Sequence, residues 1–190
     1  MQKDYAVIQK VIHWLMGIFI MLDLFIAQKF GNFIGDEIGF TNFYNETRFA
    51  SRVDHATLGY ILTILFVLRV YFRQRLGGAE LPKNMPKWQI YAASIGHAGL
   101  YFLMFGLFLS GIISASLASQ PIVIFGFFDV AFMNANERLF QFVRQIHELF
   151  TNLIIALILV HIFAAAYHHI IVRDHTTVRM LLFWKSKRIL

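Results

Sequence analysis

A long apolar run near the C-terminus, residues 145–172, carries two histidines fourteen positions apart, His147 and His161. Fourteen residues make nearly four whole helical turns, so both imidazoles lie on the same face of a helix. At 1.5 Å per residue they are about 21 Å apart along its axis, which is most of the hydrocarbon thickness of a bilayer. The run therefore predicts a membrane-spanning helix that presents one imidazole near each side of the membrane.

The composition supports a membrane protein. Hydrophobic residues make up 58% of the 190 residues and charged residues only 15%, and a soluble domain of this size cannot bury so much apolar surface. The net charge of +6 does not indicate nucleic-acid binding, because the basic residues cluster at the ends of apolar runs. We expect a single domain, residues 1–190, in contact with the lipid bilayer.

Four apolar runs of spanning length occur, at about residues 8–28, 53–73, 88–116 and 145–172. They predict an all-α, integral membrane four-helix bundle. Glycines and prolines in residues 74–87 break the second run from the third. The apolar stretch PIVIFGFF, residues 121–128, is too short to cross the membrane and is expected to lie at its surface.

Orientation follows from the distribution of lysine and arginine. Twelve of the 17 lie in residues 1–10, 69–87 and 173–190, which face one side of the membrane. The positive-inside rule then predicts that both termini are cytoplasmic. His13 and His161 accordingly lie near the inner face of the membrane.

Four histidines sort into two pairs by depth. His55 and His147 lie near the outer face on the second and fourth spans, and His13 and His161 lie near the inner face on the first and fourth. Two imidazoles from facing helices are a common way to hold a b-type haem in a bundle. Since the chain has no cysteine, covalent haem attachment is excluded. The sequence therefore predicts two haem b groups with these four histidines as the iron ligands.

Two of the histidines have a glycine four residues later, at Gly17 and Gly59. A glycine one turn from a ligand lets a flat macrocycle approach the helix backbone. The alternative is that each glycine packs against another helix. An intramembrane acid, Asp23, needs a partner or hydration, and the sequence does not name that partner.

Other polar residues are candidates for contact with haem or quinone. Arg69 lies fourteen residues after His55, hence on nearly the same helix face but at the inner surface, and Arg73 lies one turn beyond. Both suit a haem propionate or a quinone carbonyl, and their alternative role is to set the topology. His97 is a candidate fifth haem ligand, quinone partner or polar contact between helices.

Near the outer face, Arg52 and Arg144 each precede an outer histidine by three residues, so both are placed to meet haem propionates. His168 lies seven residues after His161 on the same helix face. It is therefore an alternative ligand at the inner site.

The runs KVIHWLMGIFI, IHELF and VHIFAAAYHHIIVRD resemble the bacterial di-haem cytochrome b561 family over essentially the whole chain. The likeness is greatest to members that act as superoxide:ubiquinone oxidoreductases, and it extends to cytochrome b subunits of formate dehydrogenases and hydrogenases. It implies a location in the bacterial inner membrane. It also implies four haem ligands at His13, His55, His147 and His161, the same set that their depths indicate.

The resemblance implies that superoxide is oxidised to O2 at the outer face and ubiquinone is reduced at the inner face. Candidate catalytic residues are Arg52, Arg138 and Arg144, which with Lys29 would attract the superoxide anion. Arg69, Arg73 and His97 would contact ubiquinone.

Two other functions remain open at this point. A membrane anchor would pass electrons from a dehydrogenase or hydrogenase partner to quinone and would need a docking surface. A histidine-rich metal-ion transporter would use these residues along a permeation route, but such routes usually need intramembrane carboxylates, and Asp23 alone qualifies.

Overall fold

The computed structural model describes residues 4–28, 46–79, 85–133, 137–174 and 176–181. Its four long helices are α1 (Val7–Gln28), α2 (Glu46–Leu76), α3 (Lys87–Ser116) and α4 (Glu137–Tyr167). α4 continues into a π-helical turn, His168–Val172, and a short 3-10 turn, Val178–Met180, follows it. Two short antiparallel strands, β1 (Val123–Ile124) and β2 (Phe128–Asp129), lie between α3 and α4. The fold is the all-α four-helix bundle that the sequence predicts.

All four helices are long and apolar enough to cross a membrane. Their outward faces carry large exposed apolar side chains, among them Ile18, Phe102 and Phe163. Contiguous apolar surface of this extent is stable in lipid rather than in water. The prediction of an integral membrane protein is confirmed.

Two helices begin before the apolar spans do. α2 begins at Glu46 rather than near residue 53, and α4 begins at Glu137 rather than near residue 145. Hydropathy marks where the apolar segment begins, whereas helical hydrogen bonding continues through polar turns that project beyond it. As a result, Arg52 and Arg138 lie on helices and not in loops.

The helices associate as two close pairs, α1 with α2 and α3 with α4, and α2 also contacts α3. Glycines on α3 allow the close approach of α4. A Cβ at Gly106 would collide with the ring of Phe150, and one at Gly99 would stand 3.1 Å from Leu157 Cδ2. Small residues at such an interface are typical of membrane helices. Because lipid is as apolar as the side chains, the hydrophobic effect does not drive these helices together, and they associate through close van der Waals packing.

An apolar core fills the middle of the bundle. Ile154 lies seven residues from both His147 and His161, and Leu62 lies seven residues after His55. This layer therefore separates the two histidine pairs. The buried core residues are Ile12, Met16, Leu62, Phe66, Met104, Phe108 and Ile154.

The apolar stretch 121–128 contributes most of a β-hairpin rather than a simple surface segment. Phe125 and Gly126 turn the chain with positive φ values of 53° and 77°. The carboxylate of Asp129 accepts a hydrogen bond from the backbone N–H of residue 131, and Ile124 is buried. The hairpin follows α3 and precedes α4, so we call this end of the bundle the hairpin end.

The opposite end of the bundle, where residues 4 and 181 lie, is called the terminal end. Here Gln9 Nε2 donates a hydrogen bond of 2.9 Å to the carbonyl oxygen of Gly77, which ends α2 with a φ of 72°. Trp14 Nε1 donates one of 2.8 Å to the carbonyl oxygen of Met180. These bonds join α1 to the end of α2 and to the segment that follows α4.

Candidate functional site

The structure brings four histidines together in two pairs, one at each end of the bundle. At the hairpin end, His55 on α2 faces His147 on α4, with ring centroids 6.2 Å apart and ring planes at 83°. At the terminal end, His13 on α1 faces His161 on α4, with centroids also 6.2 Å apart and planes at 85°. These are the two pairings expected from the depths of the residues along their helices.

This separation fits two imidazoles that share one metal ion. A metal–imidazole nitrogen bond is about 2 Å long, so imidazoles on opposite sides of one ion have ring centres about 6 Å apart. Perpendicular ring planes are compatible with this arrangement, because each plane can contain the axis through the ion. A shared metal ion explains why both pairs have the same centroid distance. Direct contact between the rings would give no reason for the two distances to be equal.

The tautomer of His147 also fits a metal ligand. Its Nδ1 lies 3.1 Å from the carbonyl oxygen of Leu107 and 3.1 Å from Ser110 Oγ, both on α3. A carbonyl oxygen can only accept, so Nδ1 carries the proton and donates it to Leu107. The Nε2 lone pair is therefore left for a metal, the arrangement that metal-binding histidines usually show.

His55 is oriented in the same way by an acid. Its Nδ1 lies 2.8 Å from Asp23 Oδ1 on α1. This contact supplies the partner that Asp23 needs in the membrane, and it again leaves Nε2 of the histidine for a metal. Asp23 lies near the hairpin end of α1, and His55 lies near the hairpin end of α2. Comparing the depths of the two residues in the sequence would therefore have indicated this pair.

Space beside the histidines suits a flat macrocycle. Among the described residues, no atom outside the local helix lies within 4 Å of the position that a Cβ would take at Gly17 or Gly59. The described parts of α1 and α2 make few close backbone approaches to α4. Histidine side chains therefore extend across a gap between helices, and the two glycines leave the backbone accessible beside it.

A third glycine, Gly111 on α3, was not singled out by its sequence pattern. A Cβ there would stand 3.1 Å from His147 Cε1 and 3.4 Å from His147 Nδ1. Gly111 therefore makes room for the imidazole itself. Leu107 and Ser110 were missed as well, since a backbone carbonyl and a common serine carry no distinctive sequence signal.

Basic and polar residues accompany the terminal-end pair. Arg69 is close enough to act electrostatically on both His13 and His161. His97 lies with its ring centroid 6.0 Å from that of His161 and is exposed. Arg73 is also exposed. The predicted quinone contacts therefore lie around one histidine pair.

The predicted arginines at the hairpin end differ in their exposure. Arg144 is partly buried and close enough to act electrostatically on His147 and Glu148. Arg52 is partly buried on α2, and Arg138 is exposed in the first turn of α4. Lys29 lies outside the described residues.

The alternative ligand His168 has another partner. Its Nδ1 lies 2.7 Å from Asp174 Oδ2. Burial raises the pKa of the Asp174 carboxyl, but hydrogen bonds from the backbone N–H of Thr176 and from His168 outweigh it and hold that pKa below its usual range. His161, not His168, is the residue that faces His13.

Among the described residues, no three or more His, Asp or Glu side chains form a group that could hold a bare metal ion. Transport of hydrated or partly hydrated cations generally uses such oxygen-rich or nitrogen-rich clusters. The described residues instead offer paired imidazoles, which fit axial ligation of haem.

Known proteins are similar to this chain in sequence. A profile of the family described as prokaryotic cytochrome b561 matches residues 4–182. Cytochrome b561 homolog 2 of Escherichia coli (strain K12) is 29% identical over 182 residues, 94% of this chain and 92% of the relative. Cytochrome b561 homolog 1 of the same organism is 29% identical over 137 residues, 72% of this chain and 78% of the relative.

A third relative is described as a probable superoxide oxidase CybB, from Yersinia pestis. It is 23% identical over 188 residues, 95% of this chain and 97% of the relative. The family profile covers nearly all of the four-helix bundle and both histidine pairs. The chain therefore belongs to the prokaryotic cytochrome b561 family, as a multi-pass inner-membrane electron-transfer protein that binds haem b.

Proposed function

We propose that this chain holds two haem b groups and transfers electrons across the inner membrane from superoxide to ubiquinone. The observation that carries the proposal is the presence of two matched histidine pairs, each with centroids 6.2 Å apart, at opposite ends of the bundle. When bound, haem supplies reversible one-electron chemistry. His55 and His147 hold one group at the hairpin end, and His13 and His161 hold the other at the terminal end.

The distribution of lysine and arginine supports the direction of transfer. Among the described residues, lysine and arginine are concentrated at the terminal end, which we accordingly assign to the cytoplasmic side. The hairpin end then faces the periplasm. Between the two ends, the buried side chains of Leu62, Phe66 and Ile154 are apolar and offer no groups that could relay protons. Protons therefore do not follow the electrons through the bundle, and quinone reduction takes its protons from the cytoplasm.

Superoxide is the proposed donor at the hairpin end. The whole-length likeness to the Yersinia pestis protein described as a probable superoxide oxidase supports it. Arg144 is partly buried beside His147, and a positive charge in a partly dehydrated position attracts a small anion. Acidic residues such as Glu148 share this end, so the attraction is local and does not come from the whole face.

Ubiquinone is the proposed acceptor at the terminal end. Arg69 and His97 lie beside the His13 and His161 pair, where their N–H groups can donate hydrogen bonds to a quinone carbonyl. In the overall reaction, two superoxide ions lose one electron each and leave as O2. Ubiquinone takes both electrons and two protons and becomes ubiquinol.

The test uses the purified, haem-loaded protein in detergent or vesicles. Its haems are oxidised, and superoxide from an enzymatic source is added with and without a short-chain ubiquinone. We expect haem reduction by superoxide, reoxidation by quinone and suppression of both by superoxide dismutase. Haem that quinone reoxidises but superoxide does not reduce would contradict the donor and favour an anchor subunit for a dehydrogenase or hydrogenase.

A pair of variants sharpens the test. Arg144→Gln should slow haem reduction by superoxide while both haems remain bound. Lys87→Gln removes an exposed positive charge at the terminal end and should leave that rate unchanged. Equal effects of the two substitutions would show that only the net charge matters, against a local site at Arg144.

A further inference from the structure

The contact between Asp23 and His55 places a carboxylate behind one proposed haem ligand. Asp23 Oδ1 lies 2.8 Å from His55 Nδ1, and the two side chains are only 14% and 28% exposed. An acid inside the apolar part of a membrane helix is costly unless it is paired. Pairing with His55 offsets that cost. Because His55 is a proposed haem ligand, the carboxylate also acts on the haem that His55 would hold.

The other proposed ligand at this end has neutral partners. His147 Nδ1 contacts the carbonyl oxygen of Leu107 and the hydroxyl of Ser110. Of the histidines in the described segments, only His55 and His168 have a ring nitrogen within hydrogen-bond distance of a carboxylate. His168 belongs to neither histidine pair, so the carboxylate distinguishes His55 from the other three proposed ligands.

A carboxylate that accepts a hydrogen bond from Nδ1–H makes the opposite ring nitrogen a stronger donor to its metal. A stronger donor stabilises the more positively charged, oxidised iron and so lowers its reduction potential. At the hairpin end the carboxylate of Asp23 offsets the positive charge of Arg144, which lies near His147, whereas the charge of Arg69 acts on both His13 and His161. A nearby positive charge favours the reduced, less positive state.

We propose that Asp23 is a positioning residue that fixes the His55 ring and lowers the reduction potential of the haem at the hairpin end. This inference rests on the proposed haem ligation by His55 and His147. A lower potential at the hairpin end makes electron transfer from there to the terminal end more favourable. The Asp23 carboxylate thus favours electron transfer from the hairpin end to the terminal end.

The test is a potentiometric titration, at one fixed pH, of the wild type and three variants of Asp23. The wild type and each variant are also measured with the additional substitution His161→Ala. This substitution should remove the terminal-end haem, so that the titration reports the hairpin-end haem alone. In Asp23→Asn the amide oxygen can still accept the Nδ1–H bond, but the charge is gone. We expect the potential of the hairpin-end haem to rise by about 59 mV, a tenfold change in a one-electron equilibrium.

Asp23→Glu keeps the charge and should return the potential most of the way to the wild-type value. Asp23→Leu removes the acceptor and should reduce occupancy of the hairpin-end haem as well. The matched control is Asp54→Asn, which removes an exposed carboxylate next to His55 in the sequence. It should leave the potential unchanged.

Three outcomes would overturn the inference. The first is an unchanged potential in Asp23→Asn with the haem retained, and the second is an equal shift in Asp54→Asn. The third is loss of the haem in both Asp23→Asn and Asp23→Glu, because Asp23 would then serve packing alone. If Asp23→Asn loses the haem and Asp23→Glu keeps it near the wild-type potential, the inference stands.

Failure of the underlying proposal would look different. If His55→Ala retained two haems, the ligand assignment would be wrong whatever the Asp23 variants did. If the ligand variants behave as proposed and only the potential fails to move, the role of Asp23 alone is contradicted.

Discussion

Gly111 on α3 lies against the imidazole of His147 on α4, so that a Cβ at Gly111 would stand 3.1 Å from His147 Cε1. The two residues belong to one of the two close helix pairs of the bundle, α3 with α4. A Cβ at position 111 would therefore shift the histidine ring by a few tenths of an ångström, and a larger side chain would displace it further.

Substitution of Gly111 tests this relationship. Gly111→Leu should reduce the haem content by one per chain, because the displaced ring no longer opposes His55, and Gly111→Ala should lower it less. The measurement is the ratio of haem to protein in the purified variants. Gly96→Ala is the matched control, since a Cβ there meets no atom of the described part of the chain within 4 Å. Two fully bound haems in Gly111→Leu would refute the position assigned to His147.

Ser110 and Leu107 both contact Nδ1 of His147, and the carbonyl oxygen of Leu107 is sufficient to orient the ring. Ser110→Ala leaves that carbonyl in place, so the expected loss of stability is only about 1 kcal/mol, the net value of one hydrogen bond. We expect two haems with unchanged absorption spectra. A variant that loses the hairpin-end haem would show that the hydroxyl, not the carbonyl, fixes the tautomer.

Arg69 should be needed for quinone reduction but not for haem binding. A hydrogen bond from a charged group contributes roughly 1.5–3 kcal/mol, so Arg69→Gln should slow reoxidation of prereduced haem by ubiquinone about tenfold or more. Stopped-flow absorbance measures this rate directly. Arg75→Gln, which changes an exposed arginine at the same end, should have little effect. Equal rates for wild type and Arg69→Gln would place the quinone elsewhere.

The Asp174 carboxyl should stabilise the segment that follows α4 in a pH-dependent way. Burial raises the pKa of this carboxyl, but hydrogen bonds from Thr176 and His168 lower it by more, so the net pKa is below its usual value. A depressed pKa means stabilisation that is complete above the ordinary value of 3.8 and is lost as the pH falls through the folded-state value. Asp174→Asn removes it at all pH values.

We therefore expect faster amide hydrogen exchange in residues 176–181 of Asp174→Asn than of the wild type at pH 7. The difference should shrink as the pH is lowered below 4, where the wild-type carboxyl is also becoming protonated. The Trp14 side chain, which donates to Met180 in the same segment, offers a fluorescence readout. Equal exchange rates at pH 7 would show that the carboxyl does not hold the segment.

Much of this architecture follows from helical periodicity and membrane thickness. The fourteen-residue spacing of His147 and His161 places both on one face and at opposite depths. Histidines on α1 and α2 then have one partner each at the matching depth. At the inner site His168 also lies on this face, and the structure shows that His161 is the residue that faces His13.

Contacts that depend on the rotation of one helix against another could not be predicted in this way. Depth places Asp23 near His55, but the azimuth of α1 decides whether the carboxylate reaches Nδ1. The same holds for Gly111 and Leu107, which contact His147 only because α3 packs closely on α4. Hydropathy also could not give the starts of α2 and α4, since the first turns of both helices are polar.

The central claim is that the protein has two separate haem sites, one for each histidine pair, and haem counting tests it most directly. The ratio of haem to protein is measured by the pyridine haemochrome method in the wild type, His147→Ala, His161→Ala and the double variant. We predict two, one, one and no haems per chain, and His55→Ala should behave as His147→Ala does. Loss of both haems in either single variant, or two haems in His147→Ala, would contradict the account.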